Sequence, residues 1–148
     1  MITDMTLPRE LFHLLASQTF KFDRLPTHAQ TLTVMIKVRD ELGGHITDGG
    51  RVRKSLTKAD KDKLRRGQGL ATQVLKRAGA RNIFKSLPLA SHPGGTAKVG
   101  EVVDSNLQTE IENLYVCDCS VIPEPWGLPP TLTLLALGMR LARRLATR

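Results

Sequence analysis

Residues 92–133 bring together three kinds of group that could share one site. A tight loop at 92–96 presents the imidazole of His92, which can accept a proton near neutral pH and therefore suits a general base. Asp118 lies in a later apolar run, and a helix is predicted to begin at Pro130. A helix start offers N–H groups and the positive end of the helix dipole, which favour an anion. The segment predicts a site for an anionic or redox cofactor.

Each of these groups also has an ordinary structural interpretation. His92 could simply hydrogen-bond a backbone carbonyl within its loop. Asp118 needs a donor if it is buried, and its spacing fits a ribose or ribityl hydroxyl and the cap of a neighbouring turn equally well. Every helix start has free N–H groups, so the start predicted at Pro130 stands out only through its apolar setting, where such groups need a partner.

The remaining cysteines and histidines show weaker patterns. Cys117 and Cys119 are two residues apart in a strand-like run, so they share one face and a disulfide between them would be strained. They lack nearby histidines and are too few for a structural zinc site. We therefore expect no metal, and we interpret both cysteines as small buried apolar residues. His13, His28 and His45 are expected to be structural or exposed.

Composition describes one ordinary globular domain with an excess of positive charge. The 148 residues are 41% apolar and 24% charged, with 22 Lys and Arg against 14 Asp and Glu, and a net charge of +8 suggests polyanions. The aromatic residues that would stack on bases are scarce, which argues against nucleic acid. No apolar stretch of about 18 residues occurs, and the first residues do not show the basic-then-apolar pattern of a signal peptide. We expect no membrane span and, by default, a cytoplasmic location.

Hydrophobic periodicity and turn residues predict the elements that position the candidate site. We predict strands over 31–39, 50–56, 82–89 and 113–121, and helices over 7–20, 57–79 and 130–146. A hairpin is expected around the turn at 48–50. Thr57 should cap the middle helix with help from Asp60, and Gly67 and Gly69 should kink or break it. The first half of the last helix is apolar almost all round and should be buried.

Four segments resemble, in order and spacing, the C-terminal region of the glucose-methanol-choline (GMC) family of flavoprotein oxidoreductases. The segments are His-x-x-Gly-Thr at 92–96, Val-x-Asp at 102–104, Asn-Leu-Tyr-Val-x-Asp-x-Ser-x-x-Pro at 113–123, and Pro-Thr-x-Thr at 130–133. The clear match covers about residue 82 to the end. Residues 31–80 resemble the substrate-domain segment that precedes it.

This resemblance implies an α+β fold that contains part of the substrate-domain sheet with its helices, plus the C-terminal strand and helix of the FAD domain, without a complete Rossmann unit. It implies an uncertain N-terminal segment at 1–30, a substrate-domain portion at 31–90 and a flavin-facing portion at 91–148.

The resemblance also implies roles for individual residues. Relatives oxidise an alcohol by hydride transfer to flavin N5 while a histidine removes the hydroxyl proton, and His92 matches that histidine. Asp118 and the adjacent Cys119 match positions beside FAD. The backbone at Pro130 and Thr131 matches the helix start that faces the flavin.

Two departures from the family pattern limit these expectations. Many relatives have a second His or an Asn where this chain has Pro129, which has no side-chain donor. No strand is followed by Gly-x-Gly-x-x-Gly, the turn that would hold the FAD pyrophosphate. We therefore expect a truncated reading frame or one half of a split enzyme, which would oxidise a small-molecule alcohol only when the FAD-binding half is supplied, as by a partner chain. A catalytically dead binding or regulatory module of the same fold is an alternative, and a basic nucleic-acid-binding protein is another.

Overall fold

The computed structural model describes residues 1–90 and 92–147. The elements run in the order β1 (Ile2–Asp4), α1 (Arg9–Gln18), a 3₁₀ helix (Phe22–Gln30), β2 (Val34–Ile36), β3 (His45–Ile46), β4 (Val52–Arg53), α2 (Lys58–Arg77), a second 3₁₀ helix (Cys119–Val121) and α3 (Thr131–Ala146). The predicted α+β class is confirmed.

The chain divides into two compact units. The first unit contains Met1–Val38 and Lys61–Leu89, and the second contains Arg39–Asp60 and Ala90–Arg148. This division follows contacts within the chain. The division into substrate-domain and flavin-facing portions at 31–90 and 91–148 stays a prediction.

A small antiparallel sheet and α1 organise the first unit. β1 pairs with β2 from Ile2 opposite Ile36 to Asp4 opposite Val34, so the strand predicted at 31–39 is confirmed over its central residues. Phe12 of α1 is buried in an apolar cluster, and Phe84 packs against that cluster.

Two histidines hold backbone carbonyl groups in the same unit. His28 donates from Nε2 to the carbonyl of Leu7 at 2.8 Å, and His13 donates to that of Leu25 at 3.0 Å. Both imidazoles are therefore structural, and His45 is exposed. The expectation for these three histidines is confirmed.

The start of α2 is closed by a reciprocal cap. Thr57 Oγ1 accepts the Asp60 N–H at 3.1 Å, and the Asp60 carboxylate accepts the Thr57 N–H at 3.3 Å, which is the capping-box arrangement. The Asp60 carboxylate also accepts the Glu41 N–H and is only 1% exposed. The predicted cap is confirmed, and Asp60 ties the chain at Glu41 to the helix start.

The end of α2 is set by Gly79. Its φ is 80°, its N–H donates to the Lys76 carbonyl at 3.0 Å, and the Ala80 N–H donates to the Leu75 carbonyl at 2.9 Å. These bonds form a Schellman motif, so the predicted stop is confirmed.

The predicted break at Gly67 and Gly69 is wrong, because α2 is continuous from Lys58 to Arg77. A cost of about 1 kcal/mol per glycine is small beside the packing that holds a long helix.

The second unit contains a hairpin and a separate apolar core. β3 pairs with β4, and the Gly50 N–H closes the turn on the Thr47 carbonyl at 2.8 Å, which confirms the predicted hairpin. The core consists of Val103, Leu107 and Val121, against which Leu137 and Leu141 of α3 pack. The predicted last helix is confirmed within one residue of its start.

Three expectations about secondary structure and burial are wrong. No described residue of 82–89 lies in a strand, and residues 113–121 form only one bridge, between Gln108 and Tyr115, before the chain turns into the second 3₁₀ helix. A strand needs a hydrogen-bonded neighbour along its length, and the described chain supplies none there. The first half of α3 is also not buried, since Leu132 is 81% and Leu135 is 59% exposed.

Three glycines in and after α2 should respond differently to replacement by alanine. Gly69→Ala should raise the free energy of unfolding by about 1 kcal/mol, because its added methyl meets nothing within 4 Å. Gly79→Ala should lower it by about 1 kcal/mol, because φ at this position is positive. Gly67→Ala should not raise the free energy of unfolding as Gly69→Ala does, because its methyl would lie 2.6 Å from Ile36 Cγ2. Urea unfolding measures all three, and equal effects would contradict the assignment of the helix end.

Candidate functional site

The centre of the candidate site is the backbone contact between the His92 loop and the second 3₁₀ helix. The Ser120 carbonyl accepts the N–H groups of Gly95 and Ala97 at 3.1 and 3.0 Å, and the Val121 carbonyl accepts that of Val99 at 3.0 Å. Two segments that are more than twenty residues apart in sequence are thereby held side by side. The loop that presents His92 and the segment that presents Asp118 belong to one structure.

A second contact joins the His92 loop to the residues that precede α3. A Cβ atom at Gly94 would overlap Cη2 and Cζ3 of the Trp126 indole, and would lie 3.3 Å from the Cys119 carbonyl oxygen. Only glycine allows this approach. Trp126 is the single tryptophan of the chain, and it lies four residues before the buried Pro130.

The expected site residues differ in their surroundings. His92 is exposed on its loop, and Asp118 is exposed with its Oδ1 accepting the Ser120 N–H at 2.8 Å. The capping interpretation of Asp118 is thus observed, and it leaves the carboxylate facing solvent. Cys119 is half-buried, and Cys117 is half-buried against the apolar core.

The described residues provide only some of the hydrogen bonds that the start of α3 can make. Pro130 is buried and its carbonyl accepts the Leu134 N–H at 2.9 Å, whereas Thr131 is exposed. Within the described chain, no side chain caps this helix start. The first-turn N–H groups can therefore serve an external acceptor.

Asp104 organises the link between the loop and the Asp118 segment. Its Oδ1 accepts the N–H groups of Gln108 at 2.9 Å and Asn106 at 2.8 Å. The Gln108 N–H is the main cause that lowers the pKa of Asp104, and the Asn106 bonds and the charge of Arg144 lower it further against a smaller effect of desolvation. The turn places Leu107, whose φ is 67°, in the core of this unit.

Sequence reasoning missed Trp126 and the role of the Ser120 carbonyl. The Gly94-Gly95 pair was the available signal, since adjacent glycines often mark a close backbone approach. Nothing in the sequence states which side chain makes that approach. The partner of Gly94 follows only from the fold.

The described residues contain neither a cluster of metal-binding side chains nor a membrane-spanning helix. No group of three or more His, Cys, Asp and Glu side chains among them could hold a metal ion. No helix in this part of the chain has the length and apolar character needed to cross a membrane.

Comparison with known proteins identifies the family. The family profile described as GMC oxidoreductase matches residues 29–138, and the chain belongs to this family, as the resemblance implied. The matched part is its C-terminal domain. The family is FAD-dependent.

The chain spans less than a third of the length of three relatives. It is 39% identical over 113 residues to an uncharacterized protein of Methanocaldococcus jannaschii, covering 76% of this chain and 29% of that one. It is 38% identical to a 6'''-hydroxyparomomycin C oxidase of Streptomyces lividus over 60% of this chain and 18% of that one. It is 22% identical to a long-chain-alcohol oxidase of Arabidopsis thaliana over 83% of this chain and 22% of that one. No solved structure matches.

The lowered pKa of Asp104 predicts a pH-dependent contribution to stability. The charged carboxylate stabilises the fold above the ordinary pKa of 3.8, and this contribution is lost as the pH falls through the lowered folded value. Asp104→Asn should therefore unfold at lower urea than the wild type at pH 7, and the difference should shrink below about pH 4. Asp48→Asn, an exposed hairpin carboxylate, is the control and should show no such convergence. A difference that is constant with pH would contradict the role of the Asp104 charge.

Proposed function

We propose that this chain forms the substrate-side wall of a GMC alcohol-oxidising site, in which His92 removes the hydroxyl proton of the alcohol. The observation that carries the proposal is the pairing of the His92 loop with residues 119–121. It holds an exposed imidazole on a loop whose backbone is fixed on one side, as a general base requires. Alcohol-oxidase names among the relatives support the same reaction class.

The residues present fit one edge of FAD. The helix start at Thr131 has no side-chain cap within the described chain, and Asp118 is exposed in the segment that hydrogen-bonds the His92 loop. When bound, FAD supplies the acceptor for the hydride that leaves the carbinol carbon. The pyrophosphate-binding turn is missing from the sequence, so these residues provide only part of the cofactor site.

Four residues would hold that edge in the proposed site. The first-turn N–H groups, which begin at Thr131, favour negative charge near them, whereas Pro130 contributes no N–H and lies directly before the helix. One carboxylate oxygen of Asp118 accepts the Ser120 N–H, and the other can accept a hydrogen bond from a hydroxyl group. Cys119 contributes its backbone, which lies against the His92 loop.

The exposed face of α3 supports a partner for this chain. Leu132, Leu135 and Met139 recur at helical spacing and are 81%, 59% and 58% exposed, whereas Leu137 and Leu141 pack on the core. An exposed apolar stripe of this kind is typical of an interface. The matched part covers 29% and 18% of the length of two relatives, and we propose that a chain carrying the FAD-binding half covers the stripe.

His92 can be tested in a reconstituted complex. The full chain is mixed with FAD and a separately produced GMC chain that carries the strand and Gly-x-Gly-x-x-Gly turn, and flavin absorbance is followed after alcohol is added. His92→Ala should slow flavin reduction about 10²-fold or more, because proton removal loses its base, and flavin should remain bound. His45→Ala, on an exposed strand residue of the same unit, should reduce flavin at the wild-type rate.

Two results of this experiment contradict the proposal in different ways. Equal reduction by His92→Ala and the wild type would remove His92 as the base. A complex that forms and binds flavin but never reduces it with alcohol would favour the catalytically dead module, for which Pro129 is the supporting feature.

The two faces of α3 should separate stability from association. Leu141→Ala should lower the free energy of unfolding by about 1–3 kcal/mol because it packs on the core. Leu135→Lys should change it by less than about 0.5 kcal/mol because Leu135 is exposed. Leu135→Lys should nevertheless weaken association with the FAD-binding chain at least about tenfold. Urea unfolding and titration calorimetry measure the two quantities, and undiminished association of Leu135→Lys would exclude this face as the interface.

A further inference from the structure

Trp126 contacts the loop that carries His92 at Gly94, one residue before the first of the loop's hydrogen bonds to Ser120. The Gly94 Cα lies against the edge of the indole, so that a single added methyl would overlap two ring carbons. The Ser120 carbonyl holds the neighbouring Gly95 and Ala97 N–H groups. The loop is therefore restrained both by hydrogen bonds to a backbone carbonyl and by close contact with an aromatic ring.

The tryptophan is itself held in place. Trp126 is half-buried, and at the next residue a Cβ on Gly127 would lie 3.2 Å from the Cβ of Arg39. The backbone next to the indole is therefore packed closely against Arg39, and close-packed regions resist small displacements. This packing helps to hold the ring where it contacts the loop.

Close packing of the loop is important for His92 because Pro129 stands where many relatives have a second His or an Asn. A catalytic group has to be held within about 0.5 Å of its productive position. Pro129 offers no side-chain donor that could orient the imidazole or the alcohol. Packing from Trp126, three residues earlier, is an orientation mechanism that needs no hydrogen bond.

We propose that Trp126 is the positioning residue for His92, acting through Gly94. The catalytic meaning of this assignment rests on the proposed function, whereas the contact between Trp126 and the loop does not. The two can therefore fail separately.

A double-mutant cycle on the full chain tests the contact. Gly94→Ala should raise the unfolding equilibrium constant about tenfold in the wild type, because the methyl overpacks against the ring. In the Trp126→Ala background the same change should have an effect of less than about twofold, because the methyl occupies vacated space. Gly43→Ala is the control, since its methyl meets nothing within 4 Å. An equal effect of Gly94→Ala in both backgrounds would overturn the proposal, and Trp126→Leu replaces Trp126→Ala if the latter does not fold.

A chemical readout tests the position of His92 without FAD. Diethyl pyrocarbonate modifies accessible neutral imidazoles, and mass spectrometry reports the rate at each histidine. Trp126→Ala should raise the rate at His92 by about threefold or more through local loosening of the loop, leave His45 unchanged, and be reversed by Trp126→Phe. An unchanged rate at His92, or an equal rise at His45, would assign Trp126 a general structural role.

The reconstituted complex then separates the two proposals. Trp126→Ala should lower the limiting rate of flavin reduction about tenfold while the alcohol concentration at half-maximal rate stays the same, because orientation and not binding is lost. A change in that concentration with an unchanged limiting rate would overturn the positioning role. If the wild-type complex shows no reduction while the cycle and the modification rates behave as expected, the proposed function fails and the Trp126 contact stands.

Discussion

The Ser120 carbonyl is the group on which the candidate site depends. It accepts hydrogen bonds from two N–H groups of the His92 loop, those of Gly95 and Ala97. The N–H of Ser120 donates to the Asp118 carboxylate. Ser120 thus joins the loop to the turn that carries the Asp-x-Ser part of the motif at 113–123. Without this carbonyl, a loop of glycines and proline would have little reason to adopt one conformation, because glycine adds backbone freedom.

The second unit surrounds this contact with three further restraints of different kinds. Asp60 joins Glu41 to the start of α2 through buried hydrogen bonds, and Asp104 closes the turn that delivers Leu107 to the core. Trp126 packs against the loop at Gly94. Buried or charge-assisted bonds set the backbone, and an aromatic ring then fills the remaining space.

Helix α3 has one satisfied face and one exposed face. Leu137 and Leu141 complete the core, whereas Leu132, Leu135 and Met139 remain in solvent. Membership of the GMC family and the greater length of the relatives give this asymmetry a simple interpretation. In the proposed function, one face of this helix packs on the core of the chain and the other face binds the FAD-binding partner.

Local chemistry in the sequence determined the cap at Thr57, the stop at Gly79, the hairpin turn and the start of α3, because each depends on residues within one or two turns of chain. Motif order also determined the family. Tertiary structure decided the rest. The apolar run at 113–121 became a bridge and a 3₁₀ helix because strands need neighbours, and neighbours are a property of the whole fold. The contact of Trp126 with Gly94 spans thirty-two residues, and sequence spacing cannot state which distant side chain will fill the space that a glycine leaves.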